Sequence, residues 1–246
     1  MRDEAPRAVT AICRALEEQI EHGLLPSGSQ LPAERRLSEV FDTTRITLRE
    51  ALGQLEAQGL IYREERRGWF VSPPRVAYNP LVRSHFHAMV GEQGRVPATE
   101  VLSAKLIPAS AEICQLLALP ALSSVYQIRR ARRIDGRLVL YVEHYLNPNY
   151  FAGILDFDLT RSLTELYASE YAIHYGRVRF DMVPTALHSE AASALKVAVG
   201  SPALRIVRIN RDQHGRLIDC DLEFWRHDAL HVSVEVPELR GISAAV

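Results

Sequence analysis

The chain has 246 residues, of which 47% are hydrophobic, 24% charged and 7% aromatic; that is too apolar for a disordered chain and too varied for a fibre. Twenty-nine Lys plus Arg against thirty Asp plus Glu leave a formal charge of −1, so no global basic excess announces nucleic acid and any DNA binding must come from local placement. The length allows one large domain or two small ones, each with its own core.

The opening residues Met1 to Pro6 carry no apolar run of the kind a secretion signal needs, and no stretch approaches eighteen uncharged apolar residues, so a soluble, cytoplasmic chain without a membrane span is expected. Behind Pro6, Val9, Ile12, Cys13, Leu16 and Ile20 recur at helical spacing, with Gly23 where a C-terminal stop belongs. A second helix is expected over about Ala33 to Phe41, and a third over Thr44 to Gln58, ended by Gly59. Only Asp42 and Thr43 lie between them, and Thr44 can cap free N–H groups, which makes a helix-turn-helix. Leu60-Ile61-Tyr62, a charged tip from Arg63 to Gly68, and Trp69-Phe70-Val71 then read as a β-hairpin, completing a winged helix.

On the third helix Leu48, Ala51, Leu52 and Leu55 form one apolar stripe. Arg45 and Arg49 fall one turn apart toward the other side, with Thr44, Ile46 and Thr47 around the N-terminal turn. Helix N–H groups suit a phosphate, and an arginine fork reads guanine O6 and N7. A few arginines on an amphipathic helix are by themselves more often a solvated face; their place in a helix-turn-helix points to DNA.

Leu31-Pro32-Ala33-Glu34-Arg35-Arg36-Leu37-Ser38, the run Thr44 to Leu52, the run Leu55 to Ile61 and the wing Gly68-Trp69-Phe70-Val71 together resemble the DNA-binding domain of GntR-type bacterial repressors over residues 8–72. The resemblance implies operator contacts from Arg35, Thr44, Arg45, Thr47 and Arg49, a wing glycine, Gly68, approaching the minor groove, and phosphate contacts from Arg66 and Arg67. Asp42 stands where that family often has Gly. A homodimer on a palindromic double-stranded operator is expected, because one winged helix offers few base contacts.

Ser72-Pro73-Pro74-Arg75 marks the boundary, since paired prolines favour an extended connector. The domains are read as 1–73, a linker over 74–80, and 81–246. Residues 1–75 carry 11 Lys plus Arg against 12 Asp plus Glu, so the first domain is not basic in sum. The second opens on a loop, followed by a strand from Val101 to Ile107 and a helix from Ser110 to Leu119. Strands Val125 to Ile134 and Arg137 to Leu146 flank the hairpin signal Asp135-Gly136. Then come helix Leu163 to Ser169, strand Val178 to Val183, helix Ser189 to Val199, strands Leu204 to Arg211 and Leu217 to Trp225 around His214-Gly215, and a last strand His231 to Val236. A shift of 79 lays Ser110 on Ser189, Leu116 on Leu195, Arg129 on Arg208, Arg132 on Arg211 and Asp135-Gly136-Arg137-Leu138 on His214-Gly215-Arg216-Leu217. Two such units need an antiparallel sheet with helices against it, an α+β domain with a pseudo-twofold relation.

Arg130-Ala131-Arg132-Arg133-Ile134-Asp135-Gly136, Glu143-His144-Tyr145-Leu146 and Trp225-Arg226-His227-Asp228 make residues 78–240 similar to the UTRA effector-binding domain, the chorismate-lyase-like fold of the HutC subfamily of GntR regulators. Pro108-Ala109-Ser110 and the Glu143 strand look most like regulators of phosphonate utilisation, which implies a phosphonate or related small anion as effector. A sugar phosphate or carboxylate is the alternative. Arg130 and Arg132 share strand parity and hence one face, where two guanidiniums suit such an anion. Glu143, across the hairpin, would take an amine on the same ligand, or merely pair with Arg132. Ser84 and His85, in the first loop after the linker, and Tyr145 complete the expected effector contacts.

His85-x-His87 lacks a carboxylate at ligand spacing, so no metal is expected, and no cofactor. An enzyme of the same fold is the contrasting reading, but no G-x-S-x-G, H-E-x-x-H or glycine-rich phosphate loop occurs. Cys13, Cys114 and Cys220 are far apart without C-x-x-C spacing, which points to reduced thiols rather than a disulfide or zinc framework.

Overall fold

In a computed structural model that describes residues 4–64, 66–82 and 85–235, the first unit consists of α1 (Glu4–Glu21), α2 (Glu34–Val40) and α3 (Arg45–Gln58), followed by the antiparallel hairpin of β1 (Ile61–Glu64) and β2 (Gly68–Val71). Its core gathers Val9, Ile12 and Leu16 from α1, Leu37 from α2, the predicted stripe of α3, and Ile61, Trp69 and Val71 from the wing. Each fully buried Leu contributes about 1.5–3 kcal/mol, so this shared stripe, more than local propensity, fixes the three helices. Thr44 caps α3 by accepting the Thr47 N–H at 3.2 Å, and Gly59 ends it in the left-handed region at φ 79°. Asp42 adopts φ 46°, a conformation that Asp tolerates better than most non-glycine residues, so the turn forms without the family's glycine.

The second unit is a six-stranded antiparallel sheet in the order β4-β5-β6-β9-β8-β7. Its strands are β4 (Pro97–Pro108), β5 (Ser124–Ile134), β6 (Arg137–Leu146), β7 (Tyr175–Ala186), β8 (Pro202–Asp212) and β9 (Leu217–Arg226). Helices α5 (Ala111–Leu117) and α7 (Ser189–Leu195) pack on one face, over Tyr141, Cys220 and Phe224. The other face carries α4 (Phe86–Glu92) and α6 (Leu163–Tyr171), over Val142, Ile206 and Trp225 and over Ile128 and Leu146 respectively. Three expectations change. A helix, α4, stands where a loop was expected, with Phe86, Met89 and Val90 buried. The expected last strand is shorter, β10 (Leu230–Val232), and it leaves the main sheet. It pairs in parallel with β3 (Val76–Tyr78), inside the stretch read as linker.

The repeat is present, with a corrected register. Elements β4, α5 and β5 recur as β7, α7 and β8 at a spacing of 78, and the left-handed helix caps Ala118 and Lys196 match at the same spacing. Ile134 pairs with Arg137 around a two-residue turn, whereas Asp212 N–H bonds Arg216 O around three residues. That extra residue turns 78 into 79 only after the turn. The counterpart of Arg208 is therefore Arg130, not Arg129, and that of Arg211 is Arg133, not Arg132.

A Cβ added at Gly176 would meet the Asp212 carbonyl oxygen at 2.3 Å. Gly176→Ala must push the start of β7 off β8, at a cost of about 1–3 kcal/mol. A urea midpoint lowered accordingly is expected; an unchanged one would show that this edge has room to shift.

Cys13 and Cys220 are buried and Cys114 half-buried, all as free thiols. No helix among the described residues is long and apolar enough to cross a membrane. The two units touch through Tyr62, whose ring lies under Arg137 at 3.8 Å and Arg226 at 5.1 Å. Both arginines bond the fully buried Asp228, which burial would raise but which Arg226 and Arg137 hold below its usual carboxylate range. His227 Nε2 reaches the Glu56 carbonyl at 2.8 Å, and Arg75 donates to the Gln58 carbonyl at 3.1 Å.

Candidate operator and effector sites

The N-terminal turn of α3 presents Thr44 and Arg45 to solvent, while Thr47 is half-buried with its hydroxyl 2.9 Å from that of Thr44. Arg49 is exposed but pre-paired, its Nε 2.8 Å from Glu34, whose other oxygen accepts from Trp69 Nε1 at 3.1 Å. Arg35 is exposed and 3.9 Å from Glu39. On the wing, Arg66 sits at φ 62° and Gly68 at φ 97°. Arg67 pairs with Glu64 and lies 5.0 Å over Phe70. Ile46 is 80% exposed, an apolar side chain on the turn that would meet a base edge, where a thymine methyl is its natural partner.

The effector candidates divide. Arg130 and Arg132 do share the face under α4 and α6, as parity predicts. Arg130 is buried and fully used: Nε and Nη2 lie 3.0 and 2.8 Å from His144 Nε2, and Nη1 donates to the carbonyls of Leu159 and Arg161 at 3.1 and 2.9 Å. His144 thus accepts at Nε2 and donates from Nδ1 to Asp221 at 2.5 Å. Asp221 also accepts from Asn210 at 3.2 Å.

Arg132 is the opposite case. Its guanidinium stacks 4.7 Å over Phe86, its buried Nε has no partner, and desolvation with Arg130 nearby pushes it down to about 9. Arg208 faces the same cleft, 3.4 Å from Glu223 and 3.7 Å from Asp221, again with a buried Nε lacking a partner. Desolvation would lower it, but those carboxylates outweigh that and raise it. The inner cleft is walled by Arg132, Arg161, Ser162, Thr164 and Arg208, at the N-terminus of α6, which Ser162 caps. It opens past His85 and Tyr175 into an outer space of about 430 Å³ lined by Tyr78, Leu81, Val82, Val178 and Phe180. Unmet guanidinium donors and a helix N-terminus in one concavity can hold an anion.

His85 caps α4 through Nδ1, which accepts the Ala88 N–H, and turns Nε2 to Glu165 at 3.0 Å. His87 bonds Thr99 instead, and no group of three or more metal-ligating side chains converges among the described residues. Ser84 lies outside the described residues. Glu143 and Tyr145 lie on the other face of the sheet. Glu143 stands opposite Arg129 and pairs with it at 3.0 Å, accepting also from Tyr141 and Tyr145 at 2.7 Å each. The expected Arg132–Glu143 pair is corrected to Arg129–Glu143, because Arg132 stands opposite Leu140 and three residues from Arg129, an odd step that reverses the face. Arg208 and Tyr175 were not anticipated; a spacing of 78 in place of 79 would have brought Arg208 forward as the mate of Arg130.

Burial, with Arg130 adding to it, pushes His144 down to about 3, so it is neutral in the fold. Its unfolded value is roughly 6.5, so acidification protonates the unfolded chain first and stability falls by about 1.4 kcal/mol per pH unit below that value. Asp219, which accepts from Tyr167 and Tyr175, is raised by burial and by Asp221. Its contribution has the other sign, complete below roughly 3.9 and lost as pH rises. Asp221 is lowered, since His144 and Arg208 outweigh its burial, and its contribution is lost in acid. The two slopes offset between about pH 6 and 4.5, and a steep loss is expected below about pH 4. A urea midpoint that declined steadily from pH 7 would show that Asp219 is ionised in the fold.

Residues 8–71 match the gntR family of bacterial regulatory proteins and residues 92–231 match the UTRA domain. The chain is 30% identical to the HTH-type transcriptional regulator YihL of Escherichia coli strain K12, over 90% of this chain and 94% of that protein. It is 29% identical to the HTH-type transcriptional repressor NagR of Bacillus subtilis, over 88% and 89%. Among solved structures, PhnF from Mycobacterium smegmatis superposes with a TM-score of 0.64 at 21% identity, over 92% of this chain and 98% of that one.

Proposed function

The chain belongs to the GntR family of bacterial transcription regulators that carry a UTRA domain, and we propose that it is a cytoplasmic, HutC-type repressor, a homodimer on a palindromic operator that a small anion releases. The relatives that support this are named as transcription regulators and a repressor rather than as enzymes. The observation that carries the effector reading is the pair of guanidiniums, Arg132 and Arg208, each with a buried Nε without a partner, facing one cleft at a helix N-terminus. Unmet buried donors cost stability, and a phosphonate, sugar phosphate or carboxylate would satisfy them with charge-assisted bonds. The phosphonate rests on the sequence resemblance; the apolar outer walls favour an anion with an apolar body.

Thr44, Arg45, Thr47, Arg49, Arg35 and the wing residues Arg66, Arg67 and Gly68 are the proposed operator contacts, with Ile46 added. The outer strands β4 and β7 expose Leu102, Leu106 and Val183, and these edges are candidates for the dimer contact. Effector and operator would then weaken each other by one common factor.

A ligand that binds the folded chain raises its melting temperature. A thermal-shift screen of phosphonates, sugar phosphates and carboxylates is expected to yield an anion whose shift disappears in Arg132→Leu, a variant that itself melts close to wild type because it relieves a buried Nε without a partner and loses only the stack on Phe86. Shifts from uncharged compounds alone would remove the arginine pair from the site.

A further inference from the structure

The tip of α3 holds one side chain whose chemistry the polar groups around it do not use. Thr44 and Thr47 bring their hydroxyls together at 2.9 Å, and that of Thr44 also accepts the Thr47 N–H. Arg49 is paired with Glu34 at 2.8 Å, and Arg45 stands exposed beside them. Between Arg45 and Thr47 lies Ile46, 80% exposed; of the exposed large apolar side chains among the described residues, only Leu122 is more open. Lone apolar side chains are common on surfaces, and it is the direction of this one that sets it apart. At about 100° per residue, Ile46 stands nearly opposite the mean direction of the buried stripe Leu48, Ala51, Leu52 and Leu55. It therefore points straight away from the core of its domain. Gly53, two turns on, falls almost in line with it, carries no side chain and has open space around it, so α3 sets no larger side chain in the way of a surface approaching along that line.

The N-terminal turn of the second helix in a helix-turn-helix meets base edges in the major groove. An aliphatic side chain there offers no donor or acceptor, so it adds nothing to the reading of guanine, adenine or the cytosine amine. The one apolar group on the major-groove edge is the C5 methyl of thymine. We propose that Ile46 is a specificity-determining residue, which selects thymine at one operator position by packing on that methyl. The inference rests on the operator reading above, in which Ile46 is one contact among several; it adds the base that Ile46 reads and the atom by which it reads it.

The test uses the full chain and an operator that it selects from a pool of randomised duplexes. Each thymine of the selected sequence is replaced singly by deoxyuridine, which removes the methyl and keeps the base pairing. A position is expected at which wild type binds the uridine duplex about fourfold more weakly, the factor carried by burying one CH₂-sized group, while Ile46→Ala binds both duplexes alike. With a C·G pair placed there, 5-methylcytosine should bind wild type more tightly than cytosine, and Ile46→Ala should not tell the two apart. The salt dependence of binding should be the same in both proteins, since no phosphate contact is lost. Ile46→Ala removes exposed surface alone, so its melting temperature should match that of wild type. If no thymine methyl matters, or if one matters equally in Ile46→Ala, the inference is overturned and the operator reading stands. If the pool yields no preferred sequence, the operator reading falls and takes the inference with it.

Discussion

Asp228→Ala is expected to lower stability by about 3–5 kcal/mol, the usual result of removing one partner from a buried ionic cluster. The side chain has no exposed surface, and it accepts from both Arg137 and Arg226, which are themselves buried. Without it, two guanidiniums crowd beside the Tyr62 ring without the carboxylate they share. They must either draw in water or separate, and both routes loosen the contact between the units. The two tryptophans report on this separately, since Trp69 lies in the wing and Trp225 in the sheet. Urea unfolding followed in Trp69→Phe and Trp225→Phe backgrounds should show the two transitions drawing apart once Asp228 is lost. A midpoint shift worth less than about 1 kcal/mol would mean that the cluster is solvated and carries little of the interface.

Arg45→Ala and Arg49→Ala are each expected to weaken operator binding by about 1–3 kcal/mol, the range for losing a bidentate base contact. Combined, they should cost about two orders of magnitude or more in affinity if the sites act independently. Neither should destabilise the fold appreciably. Arg45 is exposed, and the exposed Arg49–Glu34 pair is worth about 0–1 kcal/mol, with Glu34 still bonded to Trp69. Arg45→Ala should show the larger loss, because Arg49 must give up Glu34 before it can reach a base. Fluorescence anisotropy with a labelled operator checks both. Retained affinity in the double variant would exclude the N-terminal turn of α3 from the DNA contact.

Much of this was legible in the sequence because it is encoded locally. The stripe Leu48, Ala51, Leu52 and Leu55, the cap Thr44 and the stop Gly59 mark α3 almost residue by residue, and Asp135-Gly136 marks the β5–β6 hairpin with the strand bounds of β6 unchanged. What was not legible depends on contacts distant in the chain or on single-residue register. Strands β3 and β10 are three residues each and gain their pairing only from opposite ends of the second unit, so no local alternation announces them. Helix α4, at seven residues, is too short for periodicity to separate it from a loop. The face of Glu143 and the mate of Arg208 both turned on one residue of offset, and in a strand one residue decides which side of the sheet a side chain serves. The proposed effector cleft is therefore half-visible from sequence: Arg130 and Arg132 share a face as parity predicts, but Arg130 is occupied by His144 and two carbonyls, so the proposed anion contacts pass to Arg132 and Arg208.

The most direct test of the central claim is operator affinity measured at fixed ionic strength against a titration of small phosphonates, sugar phosphates and carboxylates, for wild type and Arg132→Ala in parallel. At least one anion should weaken the wild-type operator complex about tenfold or more, within the usual range of allosteric coupling, while Arg132→Ala holds the operator equally well and ignores the anion. If every anion left the wild-type complex intact, or if the effective one released Arg132→Ala just as readily, the cleft under Arg132 and Arg208 would not be the effector site.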